Sequence, residues 1–293
     1  MKKLLFVINP VSGGTDKSEL IEKIKAYCRN YEVSAEWLHT TGENDPERLQ
    51  DAIAQHQPDQ IALAGGDGTL HELTPVLIQH KTTIGIIPSG SANGLARELG
   101  ITMQNALETI FEASDTIHLD VVHINSQEPM IHMADLGLNA NLVRRYEQES
   151  RRGFLGYAIS AMKELPSLDD PVDVEITAHG QSYKFNTNFV GIANARMYGT
   201  GYNLNPNGKL DDGRFELCIL KELSPRLLTD RLFFDEENHE SELFEYLSVS
   251  EASIHCSRAM PLQSDGEYLG EFGSVTLTLA QNHLRILTPK RPH

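Results

Sequence analysis

The sequence predicts an α/β domain followed by an all-β domain, and two observations carry that reading. Through the first 120 residues short apolar runs alternate with amphipathic segments, whereas beyond Asp120 apolar runs succeed one another with only Asn, Gly, Asp and Pro turns between them. The first texture builds a mostly parallel sheet covered by helices, and the second builds antiparallel β structure. At 293 residues the chain is also too long for one small core, so two domains of about 100–150 residues are expected, with room for a cleft between them.

In chain order the first half reads as strand Leu4–Ile8, helix Ser18–Tyr31, strand Val33–His39, helix Pro46–Gln55, strand Ile61–Ala64, helix Leu70–Ile78, strand Thr83–Ile87 and helix Asn93–Leu99. Leu20, Ile21, Ile24, Tyr27 and Cys28 recur at helical spacing and give the first helix one apolar face. The second half reads as strands Val121–Asn125, Met130–Leu136, Val172–Ala178, Tyr183–Ile192, Arg214–Leu220, Ser253–Cys256 and Ser274–Leu279. Two helices, about Gly153–Leu165 and Pro225–Phe233, interrupt them, and an acidic stretch from Asp235 to Glu245 reads as a solvated helix face or loop.

Composition narrows the class of protein. A hydrophobic share of 40% and a charged share of 23% are those of a folded chain. The net charge of −16 argues against a general nucleic-acid binder, because neutralising phosphates needs clustered Lys and Arg. Cys28, Cys218 and Cys256 are scattered and odd in number, with no CxxC, so neither a disulfide framework nor a zinc site is indicated and a reducing cytoplasm suits them. The opening Met-Lys-Lys-Leu-Leu-Phe-Val-Ile has too short an apolar run for a signal peptide and reads as a first strand. No stretch approaches the ~20 apolar residues of a bilayer span, so a lipid would be met by a visiting protein.

The chemistry concentrates in three loops: Asn9-Pro-Val-Ser-Gly-Gly14, Gly65-Gly-Asp-Gly-Thr69 and Pro88-Ser-Gly-Ser-Ala-Asn-Gly94. Each falls at the carboxyl end of an expected parallel strand, and those ends share the edge where ligands bind. Glycines allow close backbone approach to a polyphosphate, and Asp67 would stand unshielded where a metal ion or an attacking hydroxyl could meet it. Taken singly, the first loop also fits a plain strand-to-helix turn and Ser89-Gly-Ser91 a helix cap. No GxxxxGK[ST] and no GxGxxG after the first strand are present, which disfavours a P-loop protein and a dinucleotide dehydrogenase. In the second half, the paired acids of Leu210-Asp211-Asp212-Gly213 suit either a turn or a hard divalent cation. Asp265-Gly266-Glu267 reads as a hairpin turn.

Together the motifs resemble the diacylglycerol kinase catalytic domain family, which includes bacterial diacylglycerol, phosphatidylglycerol and sphingosine-type lipid kinases. The resemblance runs through Asn9-Pro10, Ser12-Gly13, Thr40-Thr41, Gly65–Thr69, Gly90-Ser91-Ala92-Asn93, Ala96-Arg97, Asn194-Ala195-Arg196, Tyr198-Gly199, Leu210–Gly213 and Asp265–Glu267. It implies an N-terminal domain like that of NAD kinases and 6-phosphofructokinases, residues 1–120 joined by a returning tail of about 282–293, and a C-terminal β-sandwich, residues 121–281, on the lipid-substrate side. It implies ATP in the cleft, contacted by Asn9, Pro10, Ser12, Gly13, Thr41, Gly65, Gly66, Asp67, Gly68, Thr69, Glu72, Ser91 and Asn93. It further implies Mg²⁺ on Asp212, with Asp211 beside it, and Glu267 as the proton-accepting base. Asp67 is left as an alternative base or as a group orienting Mg²⁺ on the phosphates.

Where many relatives carry Asp after the Asn of the third loop, this chain has Gly94, which bears on the choice of acceptor. Arg144, Arg145, Arg151 and Arg152 ahead of Phe154, Leu155, Tyr157 and Ile159 suit an anionic membrane surface, or equally a helix with a solvated basic start. The expected protein is a cytoplasmic, peripherally membrane-associated lipid kinase, with homodimerisation left open. The rivals are an NAD kinase, which shares the Gly-Gly-Asp-Gly-Thr type of loop, and a non-catalytic nucleotide-binding regulator.

Overall fold

The structure, a computed structural model, describes residues 2–14, 16–112, 115–137, 170–198, 202–221, 244–280 and 283–290. The helices expected at 153–165 and 225–233, the basic and apolar segment between 144 and 159, and the acidic stretch up to residue 243 lie outside the described residues. The chain divides into two compact units, residues 1–120 with 281–293, and residues 121–280.

In the first unit β1 (Lys3–Ile8), α1 (Ser18–Asn30), β2 (Ser34–His39), α2 (Asp45–His56), β3 (Gln60–Gly65), α3 (Asp67–Leu77) and β4 (Thr83–Pro88) follow one another. Two short helices, α4 (Gly94–Glu98) and α5 (Ala106–Phe111), lead to β5 (Asp115–Leu119). β1, β3 and β4 read as unbroken apolar runs because the parallel sheet buries them on both faces; from Leu4 to Ile8 and from Gln60 to Gly65 every residue is buried. Leu20, Ile24 and Cys28 form the buried stripe of α1. Phe6 stacks on Trp37 at 5.0 Å, and Phe111 lies 5.3 Å from Tyr27 and 5.5 Å from Tyr31, so aromatic rings tie α1 and α5 together over the sheet.

The second unit comprises β6 (Val122–Ile124), β7 (Glu128–Met130), β8 (Met133–Gly137), β9 (Val172–Ala178), β10 (Gln181–Thr187) and β11 (Phe189–Ala193). The short β12 (Met197–Tyr198) and β13 (Tyr202–Asn203) follow, then β14 (Phe215–Leu220), β15 (Phe244–Val249), β16 (Glu251–Ser264) and β17 (Glu267–Leu279). All pairings within it are antiparallel, in the order β15-β14-β11-β8-β16-β17-β6-β7 with β9 also on β16 and β10 on β9. This is an antiparallel β-sandwich domain.

The run expected as one strand at Met130–Leu136 divides between the end of β7 and β8, and that expected at Ser274–Leu279 is the end of the 13-residue β17. Two further differences have identifiable reasons. The run 183–192 is two strands, because β10 pairs with β9 while β11 pairs with β8 and β14, and Thr187 Oγ1 donates to the carbonyls of Phe189 and Leu220 at the break. The four-residue strand expected at Ser253–Cys256 lies in the first half of the 14-residue β16, which continues through exposed Ser257, Arg258 and Ala259 by shifting register between His255 and Met260. That irregularity lets one strand pair with β9 before it and β8 after it.

The chain then returns to the first unit as β18 (Leu284–Thr288), inserted between β4, to which it is parallel, and β5, to which it is antiparallel. Ile286 faces Ile84 and Ile117 across its two neighbours and is fully buried. The sheet order is β2-β1-β3-β4-β18-β5. Replacing Ile286 by Ala is expected to cost about 2–5 kcal/mol in the unfolding of the first unit, measured by urea denaturation. A loss below about 1 kcal/mol would show that the tail strand is dispensable to that core.

Candidate active site

The loops that follow β1, β3 and β4 leave the same edge of the first unit's sheet, and hydrogen bonds and close backbone contacts knit them together. Asn9 Nδ2 donates to Thr69 Oγ1 at 2.8 Å, while Asn9 Oδ1 accepts the N–H of Val11 at 3.1 Å. Ser12 and Ser89 share a hydroxyl hydrogen bond of 2.9 Å. The N–H of Ser89 donates to the carbonyl of Gly65 at 2.9 Å. Asn93 closes its own loop, accepting from Gly90 N–H at 2.9 Å and donating back to Gly90 O at 2.8 Å.

Glycine is required where the loops touch. A Cβ on Gly90 would stand 2.5 Å from the Cα of Gly66, and one on Gly13, whose φ is +63°, would stand 2.5 Å from Ser89 O. Gly14 and Gly68 differ, since a Cβ on either meets nothing within 4 Å, so their backbones border open space. α3 begins at Asp67 directly after β3, and no side chain caps its first turn. Its free N–H groups and the positive end of its dipole therefore lie on this edge, a setting that suits phosphate oxygens.

The sequence leaves Asp67 unshielded; the structure does not. Asp67 Oδ2 accepts the N–H of Gly94 at 2.7 Å and Oδ1 that of Leu95 at 3.1 Å, so the carboxylate ties the start of α3 to the start of α4. Gly94 enters this contact through its backbone, being the first residue of α4. Pro10 and Ser91 are exposed on the first and third loops, and Glu72 is half-buried in the second turn of α3.

Thr41 follows β2 on the same edge, but its bonds belong to a separate cluster. The N–H groups of Thr41 and Gly42 donate to Asp45, and Arg48 Nη1 donates to Asp45 Oδ1 at 2.5 Å. Burial of Asp45 would by itself raise its pKa; those N–H groups and the Arg48 guanidinium outweigh it and hold the carboxyl below its usual range.

The residue that sequence reading missed is Lys17. It is 6% exposed, and its ammonium donates to Ser12 O at 2.7 Å and Ser89 O at 3.3 Å, bridging the first and third loops from behind. Burial pushes its pKa down, with Asp16 acting in the opposite direction. The available signal was position alone, a lysine immediately before a helix and just after a double glycine.

In the second unit Asp265 and Gly266 are the central residues of the β16–β17 hairpin, with φ of +48° and +95°. The Asp265 carboxylate accepts N–H groups of Ile131, His132 and Met133 at 2.8, 2.9 and 2.9 Å, and its own N–H donates to Met133 O. Glu267 opens β17 with an exposed side chain. Asp211 and Asp212 sit on an exposed turn ahead of β14, where Asp212 Oδ1 accepts the N–H of Arg214 at 3.1 Å. Among the described residues no three His, Cys, Asp or Glu gather as a metal cage. Mg²⁺ keeps several of its own waters and is usually held by one or two protein carboxylates rather than by such a cage, which the exposed Asp211 and Asp212 fit.

Comparison with known proteins adds the family. A profile described as the diacylglycerol kinase catalytic domain matches residues 3–124, and one described as the YegS C-terminal NAD kinase beta sandwich-like domain matches residues 132–288. The chain belongs to the diacylglycerol kinase catalytic-domain family. The diacylglycerol kinase of Bacillus subtilis strain 168 is 29% identical over 306 aligned positions, covering 99% of this chain and 97% of its own. The crystal structure of a diacylglycerol kinase from Bacillus anthracis strain Sterne has the same fold, with a TM-score of 0.76 at 22% identity over 98% of this chain and 97% of that one. An NAD kinase from Archaeoglobus fulgidus in complex with ATP is a more distant likeness of fold, with a TM-score of 0.52 at 14% identity over 98% and 94% of the two chains. As a diacylglycerol kinase family member the chain is a lipid kinase, and ATP is the phosphoryl donor of its class.

Two outcomes follow for this kinase. Lys17→Met is expected to raise KM for ATP about tenfold or more while leaving the fold intact by circular dichroism, because the two loops lose their common donor; an unchanged KM would show that the loops hold each other without it. The stability that Asp45 adds over Asp45→Asn should be complete at neutral pH and fade as pH falls below about 4, since its folded pKa is depressed. Urea midpoints of both forms from pH 7 to pH 3 check the sign.

Proposed function

We propose that the chain transfers the γ-phosphoryl group of ATP to a hydroxyl of a diacylglycerol-like lipid, acting peripherally at a membrane surface. The observation that supports this reading most is the knot of three loops on the carboxyl edge of β1, β3 and β4, closed from behind by Lys17. Among the described residues no helix is long and apolar enough to cross a membrane.

In this reading the hydroxyls of Ser12 and Ser91 and the N–H groups of Gly13, Gly68 and Thr69 hold phosphate oxygens, with Asn9, Pro10, Gly65, Gly66 and Asn93 shaping the loops that present them. Thr41 and Glu72 border the nucleotide. Asp67 sets the third loop and α4 against α3, a positioning role that agrees with its two N–H partners better than proton transfer does. Glu267 accepts the proton of the acceptor hydroxyl, the one acid–base task that phosphoryl transfer needs. Asp212, assisted by Asp211, is the proposed ligand of Mg²⁺, which when bound supplies neutralisation of negative charge.

Transfer of labelled γ-phosphate to diacylglycerol, phosphatidylglycerol, ceramide and sphingoid bases in mixed micelles, with NAD as a further acceptor, tests the reading. Label on a glycerolipid that is absent with Glu267→Gln supports it; label on NAD, or ATP binding without transfer, overturns it. Glu267→Gln is expected to lower kcat about 10²-fold with KM for ATP nearly unchanged. Asp67→Asn should act on KM and stability as well as on kcat, because an amide cannot accept as two carboxylate oxygens do.

A further inference from the structure

The hairpin turn that leads into Glu267 is held from a second side by a buried polar pair. Every residue of β8 is buried, and at its centre stands Asp135, 0% exposed. Directly opposite it in the β8–β16 ladder is Gln263, 2% exposed. Gln263 Nε2 donates to Asp135 Oδ2, and Gln263 Oε1 accepts the N–H of Gly266 at 2.9 Å. Burying a carboxylic acid costs free energy that an apolar cross-strand pair would not.

We infer that Asp135, acting through Gln263, is a positioning residue for Glu267; the inference rests on the reading of Glu267 as proton acceptor. An ionised carboxylate only accepts hydrogen bonds, whereas a glutamine amide has one accepting and one donating end. In this structure the amine end of Gln263 turns to Asp135 Oδ2 and its oxygen is left for Gly266. With the Asp265 carboxylate on three N–H groups of residues 131–133, the turn is gripped at both of its central residues. Glu267 is the next residue, paired with Ser264 across the hairpin. A proton acceptor must stand within hydrogen-bond reach of its hydroxyl, and a displacement of ~1 Å can cost ~10²-fold in rate. The turn is thus fixed where error is most expensive to the reaction.

The test uses two variants of the full chain. Asp135→Asn keeps the shape, but asparagine can present either its oxygen or its amine to Gln263, so the glutamine's direction is no longer imposed. D135L/Q263M removes both polar groups and leaves Gly266 without this acceptor, at a cost in stability that its urea midpoint reads. Both variants are expected to keep one cooperative urea transition, to lose about tenfold or more in kcat with KM for ATP within about twofold, and to exchange the Gly266 amide hydrogen faster. A kcat within twofold of wild type in both, while Glu267→Gln is inactive, overturns the inference. Should the double variant fail to fold, Asp135→Asn decides, and an unchanged kcat with an unchanged Gly266 exchange rate overturns it. A Glu267→Gln enzyme as active as wild type removes the base reading and this inference with it, and that failure is read from Glu267→Gln alone.

Discussion

The approach of Gly66 to Gly90 governs the first unit's working edge. Two neighbouring parallel strands lie about 4.8 Å apart, and loops leaving their ends stay that close only if neither carries a side chain at the crossing. With both positions glycine, Ser89 reaches Gly65, Asp67 reaches the first N–H groups of α4, and Ser12 reaches Ser89. Each bond presupposes the backbone contact, since a Cβ on Gly90 would push the third loop off the second by more than a hydrogen bond tolerates. The edge is therefore built from backbone, and Asn9, Ser12 and Asp67 lock its loops to one another.

The second unit solves a different problem with the same means. An antiparallel sandwich supplies a large apolar core from Val122 to Leu277, yet its hairpin turns are bound at only two ends. At the Asp265–Gly266 turn the φ values are positive at both central residues, as a two-residue hairpin of right-handed strands requires. What exceeds that requirement is the anchoring, with Asp265 on the segment before β8 and Gln263 on Gly266. A turn serving only to reverse the chain would need neither a carboxylate on three amides nor a buried acid behind it.

Much of this was legible in the sequence, and the limits have physical causes. Period 3.6 and unbroken apolar runs identify the alternating elements from β1 to β4, because a doubly covered parallel sheet leaves its strands no polar positions. β16 was cut short because Ser257, Arg258 and Ala259 break the alternation, and only a partner strand on each side makes them strand residues. The three loops could be placed on one edge from topology alone. The direction of the Asp67 carboxylate could not, since it depends on where α4 starts, and α4 is a five-residue helix whose beginning is set by that same carboxylate. Asp135 and Gln263 lie 128 residues apart in sequence, so nothing local marks them as a pair.

Lys17 shows why residue type misleads when position is unknown. A lysine near a glycine-rich loop is ordinarily imagined reaching out to a phosphate, and here the ammonium turns inward to two loop carbonyls. The same pattern runs through Asp67, Asp265 and Asp135: each carboxylate accepts from backbone or amide N–H groups and fixes where those groups stand. In phosphoryl transfer, where the protein does little bond chemistry of its own, holding donors and one base in register is most of what a fold can contribute.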